Sequence, residues 1–243
     1  MADAPPTFVH LHLHSEYSVR DSLLHIKPLV AKVKALGQPA LALTDQSNMF
    51  ALLKFYNAAR SQGIKPLLGA DLWVHHEGEV FSITLLCQNH SGYLNLSKLI
   101  SQAYLTNQQV YQANQLPLVE QAWLAEHQAG LIVLLGLHSN IGQALSRGNR
   151  SLVEQQQAWW QTYFADRIYL ELVRTQRSGE EAFIQQVLPL AQAWQWPVVA
   201  TNDVRFLARD DFDAHEIRCC IHSGYVIDDP NRPRTYSEEQ YLK

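Results

Sequence analysis

With 243 residues, 47% of them hydrophobic and 17% charged, the chain has enough apolar material for a sizeable core and too little charge for disorder. A formal net charge of −4 gives no basic footprint for gripping a phosphate backbone, so DNA contact is expected only indirectly. Its three cysteines, Cys87 and the adjacent Cys219 and Cys220, form no spaced framework. No apolar run approaches the roughly 20 residues of a membrane span, so a cytoplasmic chain with no membrane partner is expected.

The first structured stretch is Phe8-Val9-His10-Leu11-His12-Leu13-His14. In a strand, alternate side chains face opposite ways, which puts His10, His12 and His14 on one face and Val9, Leu11 and Leu13 on the other. Same-face neighbours stand about 6.5–7 Å apart, close enough for two imidazoles to converge on one divalent ion. A half-buried edge strand with a histidine face fits the same residues. The row therefore counts as a site only if the rest of the chain supplies carboxylates.

Helical spacing of Leu29, Val30, Val33 and Leu36 predicts a helix over 23–36, stopped by Gly37. The apolar run 39–43, ending in Thr44-Asp45, reads as a strand buried on both faces. A helix over 49–62 closes at Gly63. Residues 64–74 read as a strand that turns through Glu77-Gly78-Glu79 into a second strand over 80–86, the one clear antiparallel hairpin. Helices follow over 93–103 and 118–125, then a buried strand over 131–135. Further helices are predicted over 141–147, 151–164, 180–194 and 213–222, with strands over 167–173 and 197–201.

Short apolar strands alternating with helices argue for parallel strands with right-handed crossovers. About seven such strands close most economically into an α/β barrel, which leaves no bare sheet edge; an open doubly wound sheet is the alternative. The polar residues support the barrel. His12 and His14 end the first strand, Asp45 ends the second, Asp71 comes late in the third, and Asn202-Asp203 follow the last. In α/β barrels, functional groups gather at that carboxyl rim.

These motifs together resemble the polymerase-and-histidinol-phosphatase (PHP) domain family, in the form that heads the alpha subunit of bacterial replicative DNA polymerases. The resemblance rests on His10-Leu-His-Leu-His-Ser-Glu-Tyr-Ser18, Ala42-Leu-Thr-Asp45, Gly63-Ile-Lys-Pro-Leu-Leu-Gly-Ala-Asp71, Ser91-Gly-Tyr-Leu-Asn-Leu96 and Val199-Ala-Thr-Asn-Asp203. It implies a distorted seven-stranded (β/α)7 TIM-like barrel. A PHP domain is expected over 1–227, with 228–243 starting a linker toward a polymerase region. Active family members hold a cluster of divalent metals at the rim and hydrolyse phosphate esters.

Carried over position by position, the resemblance implies five metal ligands: His12, His14, Asp21, Asp71 and Asp203. Four family ligand positions are substituted, by Gln46, Ser82, Leu137 and Arg205. Glutamine is a weak neutral ligand, serine is too short to replace an imidazole, and leucine cannot ligate. Arg205 brings a fixed positive charge two residues beyond Asp203, where it is expected to pair with Asp203 and Asp71. A degenerate site with no catalytic residue is therefore expected. It requires no cofactor and allows at most one residual divalent ion, Zn, Mn or Mg. The resemblance implies a domain that supports the rest of the polymerase alpha chain and docks the proofreading exonuclease subunit. An active phosphoesterase or 3′-to-5′ exonuclease using the retained ligands is the competing reading.

Other residues have simpler readings. His10 is expected to be a packed strand histidine, His75-His76-Glu77 a polar hairpin turn, and Trp159, Trp160, Trp194 and Trp196 the outer layer. His138 reaches a ligand position only through a loop shift. Cys219 and Cys220 face different ways and are expected to pack. The chain has no Gly-x-Ser-x-Gly elbow, P-loop or dinucleotide fingerprint.

Overall fold

The computed structural model describes residues 8–111 and 114–243. In chain order it has α1 (Ile26–Ala35), β1 (Ala40–Leu43), α2 (Leu52–Ser61), β2 (Lys65–His76), β3 (Glu79–Cys87), α3 (His90–Thr106), β4 (Gln108–Tyr111) and β5 (Asn114–Glu120). Then come α4 (Gln121–Glu126), β6 (Leu131–Leu135), α5 (Asn140–Ser146), α6 (Arg150–Phe164), β7 (Ile168–Val173), α7 (Glu180–Trp194), β8 (Val198–Thr201) and α8 (Phe212–Ser223).

The strands form one sheet in the order β4-β5-β2-β3-β6-β7-β8, with β1 paired to β2. β1 lies parallel to the first half of β2, and β5 lies parallel to residues 73–75 further along it. β6 with β7 and β7 with β8 are also parallel. The histidine run 10–14 is extended but is not a long regular strand. The Ala42 amide donates to the His10 carbonyl at 2.8 Å and the Thr44 amide to Leu13 at 2.9 Å; on the other side the His14 amide donates to Val204 at 3.0 Å and the Val204 amide to His12 at 3.1 Å. The run thus stands between β1 and the segment just after β8. With β1, β2, β3, β6, β7 and β8 it makes the seven staves of the distorted barrel.

Two expectations about strand direction and extent need correction. The 64–86 hairpin is not the one antiparallel piece, because β3 also pairs antiparallel with β6, and β4 with β5. β3 returns through a tight turn at Gly78 and so runs against the barrel, which makes its far neighbour β6 antiparallel to it as well. The helix predicted over 118–125 begins only at Gln121, since residues 114–120 pair with both β4 and β2. The Gln- and Asn-rich stretch 107–115 gave no strand pattern to the eye.

The helices follow their apolar faces. α1 buries Ile26, Leu29, Val30 and Val33 while Lys32 and Lys34 sit in its last turn, and the chain leaves through Gly37 at φ 69°. α3 starts at His90 because the Asn89 side chain accepts from the Gly92 amide at 3.1 Å. It approaches β6 so closely that a Cβ on Gly92 would stand 1.9 Å from the Gly130 carbonyl oxygen. Trp160 and Trp196 are buried, with Trp159 and Trp194 half-buried beside them, so the tryptophans do fill the outer layer. Among the described residues no helix is long and apolar enough to cross a membrane.

The stretch 228–243, expected to start a linker, is docked at its far end. Gln240 is 0% and Leu242 1% exposed. The Leu242 amide donates to Phe206 at 3.2 Å, and the Asn202 side chain donates to the carbonyls of Glu239 and Tyr241 at 2.9 and 2.8 Å. Burial of Leu242 and satisfaction of these backbone groups account for the packing.

Candidate metal site

Among the described residues one group can hold a metal ion: one nitrogen each from His12 and His14 and one oxygen from Asp71 lie within 4.8 Å of one another. The histidine run supplies the imidazoles, whose centroids are 5.9 Å apart, and β2 supplies Asp71 at a bridge to Gln46. Asp71 Oδ2 accepts from His12 Nε2 at 2.6 Å and from His14 Nε2 at 2.8 Å, while the Thr84 hydroxyl donates to Asp71 Oδ1 at 2.6 Å.

His12 is held at both nitrogens. Its Nδ1 donates to Glu171 Oε1 at 2.7 Å, and the Thr201 hydroxyl donates to the same oxygen at 2.6 Å. A histidine with carboxylates at both nitrogens is an imidazolium. Burial opposes that charge, but Asp71, Glu171 and Asp203 outweigh it and hold the His12 pKa well above its ordinary value. Burial likewise works against the Asp71 carboxylate, and His12 and His14 overcome it, so Asp71 stays ionised well below the usual range.

The other two implied ligands belong to a relay centred on Arg205, whose side chain is 8% exposed; it adjoins the triad, with His12 Nε2 3.3 Å from Asp203 Oδ1. Its guanidinium donates to Asp21 Oδ2 at 2.6 Å and to Asp203 Oδ1, and it also lies against His14 Nδ1. Arg177 donates to Asp203 Oδ2 at 2.9 Å, and the Gln240 amide donates to the same oxygen at 2.9 Å. His14 Nδ1 meets Asp21 Oδ1 at 3.1 Å, and the Tyr236 hydroxyl donates to Asp21 Oδ2 at 3.2 Å. Burial alone would raise both carboxylates, yet Arg205 drives Asp21 and Asp203 well below the usual range. Asp203 itself sits at φ 45°, a left-handed backbone that aspartate tolerates better than bulkier residues.

The expected partners of Arg205 are therefore half right. It pairs with Asp203 but takes Asp21 in place of Asp71, because Asp71 is already committed to the two histidines and Thr84.

The substituted positions fall around this centre. Gln46 donates through its amide to the Asp71 carbonyl at 3.1 Å and so braces the backbone. Ser82 and Leu137 line the cleft above His12 and Asp71. His138 lines it too, with its pKa lowered first by burial and then by Arg177. Asp45 turns away to accept from the Ser15 amide at 2.6 Å and the Ser15 and Ser18 hydroxyls at 2.7 Å each. His10 is fully buried and bonds the Lys243 carbonyl at 3.0 Å, outside the site. His75 on β2 pairs with Glu120 at the end of the neighbouring β5.

Sequence reading missed Glu171, Arg177, Tyr236 and Gln240. Glu171 was legible as a lone carboxylate inside the apolar run Ile168-Tyr-Leu-Glu-Leu-Val173. The other three carry no local signal.

Tested against a metal, the donors divide. Two imidazoles and a carboxylate fit a single divalent ion, provided the shared protons leave. A cluster does not fit, because the Arg205 guanidinium takes up the oxygens of Asp21 and Asp203 that further ions would need.

Barrel, rim position and donor set define the class, and the family comparison agrees: residues 10–175 match the PHP domain model, so the chain belongs to the PHP domain family. Over 98% of its length it is 47% identical to DNA polymerase III subunit alpha of Vibrio cholerae and 48% identical to that of Escherichia coli K12. It spans about a fifth of the length of these curated relatives, 20% in both cases. Two solved structures share the fold at low identity. A candidate metal-dependent phosphoesterase from Bifidobacterium adolescentis superposes with TM-score 0.54 at 15% identity, covering 83% of this chain and 88% of that one. An amidohydrolase from Chromobacterium violaceum, with sulfate bound and no metal, gives 0.53 at 14%, covering 86% and 96%.

Proposed function

We propose that this chain is the N-terminal PHP domain of a replicative DNA polymerase alpha subunit, working in the cytoplasm as a structural module that does not hydrolyse phosphate esters. It supports the rest of the alpha chain and docks the proofreading exonuclease subunit, which makes a nuclease of its own redundant. The observation that carries this reading is the Arg205 guanidinium bonded to both Asp21 and Asp203. A permanent cation stands there among the acidic ligands that a multi-metal phosphoesterase requires.

The triad of His12, His14 and Asp71 supports retention of one divalent ion. Such an ion, when bound, would act as a Lewis acid toward an oxygen ligand. This chain's own residues hold the two ring protons of His12, one toward Asp71 and one toward Glu171, and they orient the imidazoles. The same triad is what favours the competing reading, an active metal-dependent phosphoesterase or 3′-to-5′ exonuclease.

Incubating the purified chain with single-stranded DNA and with p-nitrophenyl phosphate, in Mn²⁺ or Zn²⁺, separates the two. No turnover above the His14→Ala variant is expected, together with measurable binding to the exonuclease subunit. Turnover that disappears in His14→Ala would establish the enzyme instead.

A further inference from the structure

The segment 236–243 is bound to the same groups that form the ion-pair relay. Its backbone runs beside the segment after β8: the Arg205 amide donates to the Gln240 carbonyl at 2.8 Å, and Phe206 and Tyr241 form a parallel bridge. Its side chains reach into the site from outside. The fully buried Gln240 amide donates to both the Asp203 carboxylate, at 2.9 Å, and the Asp203 carbonyl, at 3.1 Å. The Tyr236 hydroxyl is on Asp21, the Arg205 guanidinium lies 5.9 Å over the Tyr236 ring, and the His215 ring meets that ring edge-on at 4.7 Å. Asp21, Arg205 and Asp203 therefore make their bonds with one another and with the segment in a single network.

We propose that 236–243 is a strap whose docking is thermodynamically coupled to the relay, so that a divalent cation entering between His12, His14 and Asp71 loosens it. The cation response rests on the one-ion reading given above; the coupling of strap and relay does not. A cation seated on His14 and Asp71 puts positive charge beside Arg205, which lies against His14. It also competes for Asp21 and Asp203, whose oxygens Tyr236 and Gln240 use to hold the strap. Coupling is reciprocal, so weakening the strap must favour the cation by the same factor. The expected linker is thus a reporter of the site: its seat depends on which cation, guanidinium or metal, the rim carboxylates face.

Hydrogen exchange followed by mass spectrometry tests this on the whole chain. Arg205→Met is expected to let the 236–243 amides exchange by local opening, at least about tenfold faster than the β6 and β7 amides, which speed up only with the loss of global stability. Uniform acceleration, or none in the strap, overturns the coupling. If Arg205→Met does not fold, Asp21→Asn is expected to give a smaller acceleration confined to the strap, and its absence overturns the coupling equally. Saturating Mn²⁺ on the unaltered chain is expected to speed the same amides, and Gln240→Ala to bind Mn²⁺ about tenfold more tightly. A bound ion that leaves strap exchange unchanged overturns the cation response. Failure of both the unaltered chain and Gln240→Ala to bind Mn²⁺ overturns the one-ion reading on which that response rests, while the Arg205→Met arm still decides the coupling.

Discussion

Replacing Arg205 by methionine removes the cation that joins two acidic groups from different parts of the chain while keeping an unbranched side chain of similar length in its place. Asp203 keeps Arg177 and Gln240, each at 2.9 Å, and Asp21 keeps His14 at 3.1 Å and Tyr236 at 3.2 Å. Breaking a buried pair by removing one partner costs about 3–5 kcal/mol, and the surviving partners place this variant at the low end, about 3 kcal/mol. For a chain of this size that corresponds to a fall in Tm of about 6–12 °C, read by circular dichroism during thermal unfolding. Arg205→Lys, which keeps the charge but not the two-pronged guanidinium, is expected to fall between. Adding Asp21→Asn to Arg205→Met removes one stranded charge and is expected to recover about 1–2 kcal/mol. A Tm for Arg205→Met within about 1 °C of the unaltered chain would refute the reasoning, because a buried guanidinium with two carboxylates cannot be lost without cost if both pairs exist in solution.

Other consequences follow from the same network. Arg205→His replaces the guanidinium with an imidazole that can ligate, and is expected to bind Mn²⁺ or Zn²⁺ more tightly than the unaltered chain by calorimetry; equal affinity would show that Arg205 is not what limits the site. The pH profile has two limbs. The depressed carboxyls of Asp21, Asp71 and Asp203 contribute stability that is complete above their unfolded value, 3.8, and is lost as pH falls toward their folded values; the raised His12 contributes stability that is complete below 6.5 and declines as pH rises toward its folded value. The denaturant midpoint of the metal-free chain is thus expected to be highest between about pH 4 and 6.5, and a midpoint still rising from pH 7 to 9 would contradict the His12 assignment. Gly92→Ala forces a carbon against the Gly130 carbonyl and is expected to lower Tm, whereas an unchanged Tm would show that α3 sits further from β6 than described.

Much of this fold could be read from the sequence because its strands and helices carry their own periodicity. The run 131–135 and the α7 stripe of Phe183, Ile184, Val187 and Ala191 bury what their spacing predicts. Direction was harder. Nothing in the apolar run of β6 says that its neighbour β3 points the other way, since that is set by a turn at Gly78 far away in sequence. The polar β4–β5 hairpin lay below any pattern.

At the site, the residues that the resemblance implies as ligands could be named by position, and His12, His14 and Asp71 do meet. Of the residues that neutralise the site, Arg205 was legible as a fixed charge beside Asp203, but its pairing with Asp21 and the parts played by Arg177, Tyr236 and Gln240 were not, because these arise only from long-range packing. Gln240 is 37 residues from Asp203, and the Arg205 pairing with Asp21 spans 184 residues. The packing of 236–243 was hidden for a related reason: proline, aspartate and arginine suggest a linker by composition, yet the seating of Gln240 and Leu242 depends on single buried contacts that composition does not register.

In the proposed reading, the Arg205 guanidinium occupies the electrostatic place of a metal cluster. Elemental analysis of the purified chain, after equilibration with Mn²⁺ and Zn²⁺ and removal of free ions, tests it most directly. At most one ion per chain is expected, held by the donors His12, His14 and Asp71. Two or three ions per chain would contradict it, since Asp21 and Asp203 would then have to leave Arg205 and serve as ligands.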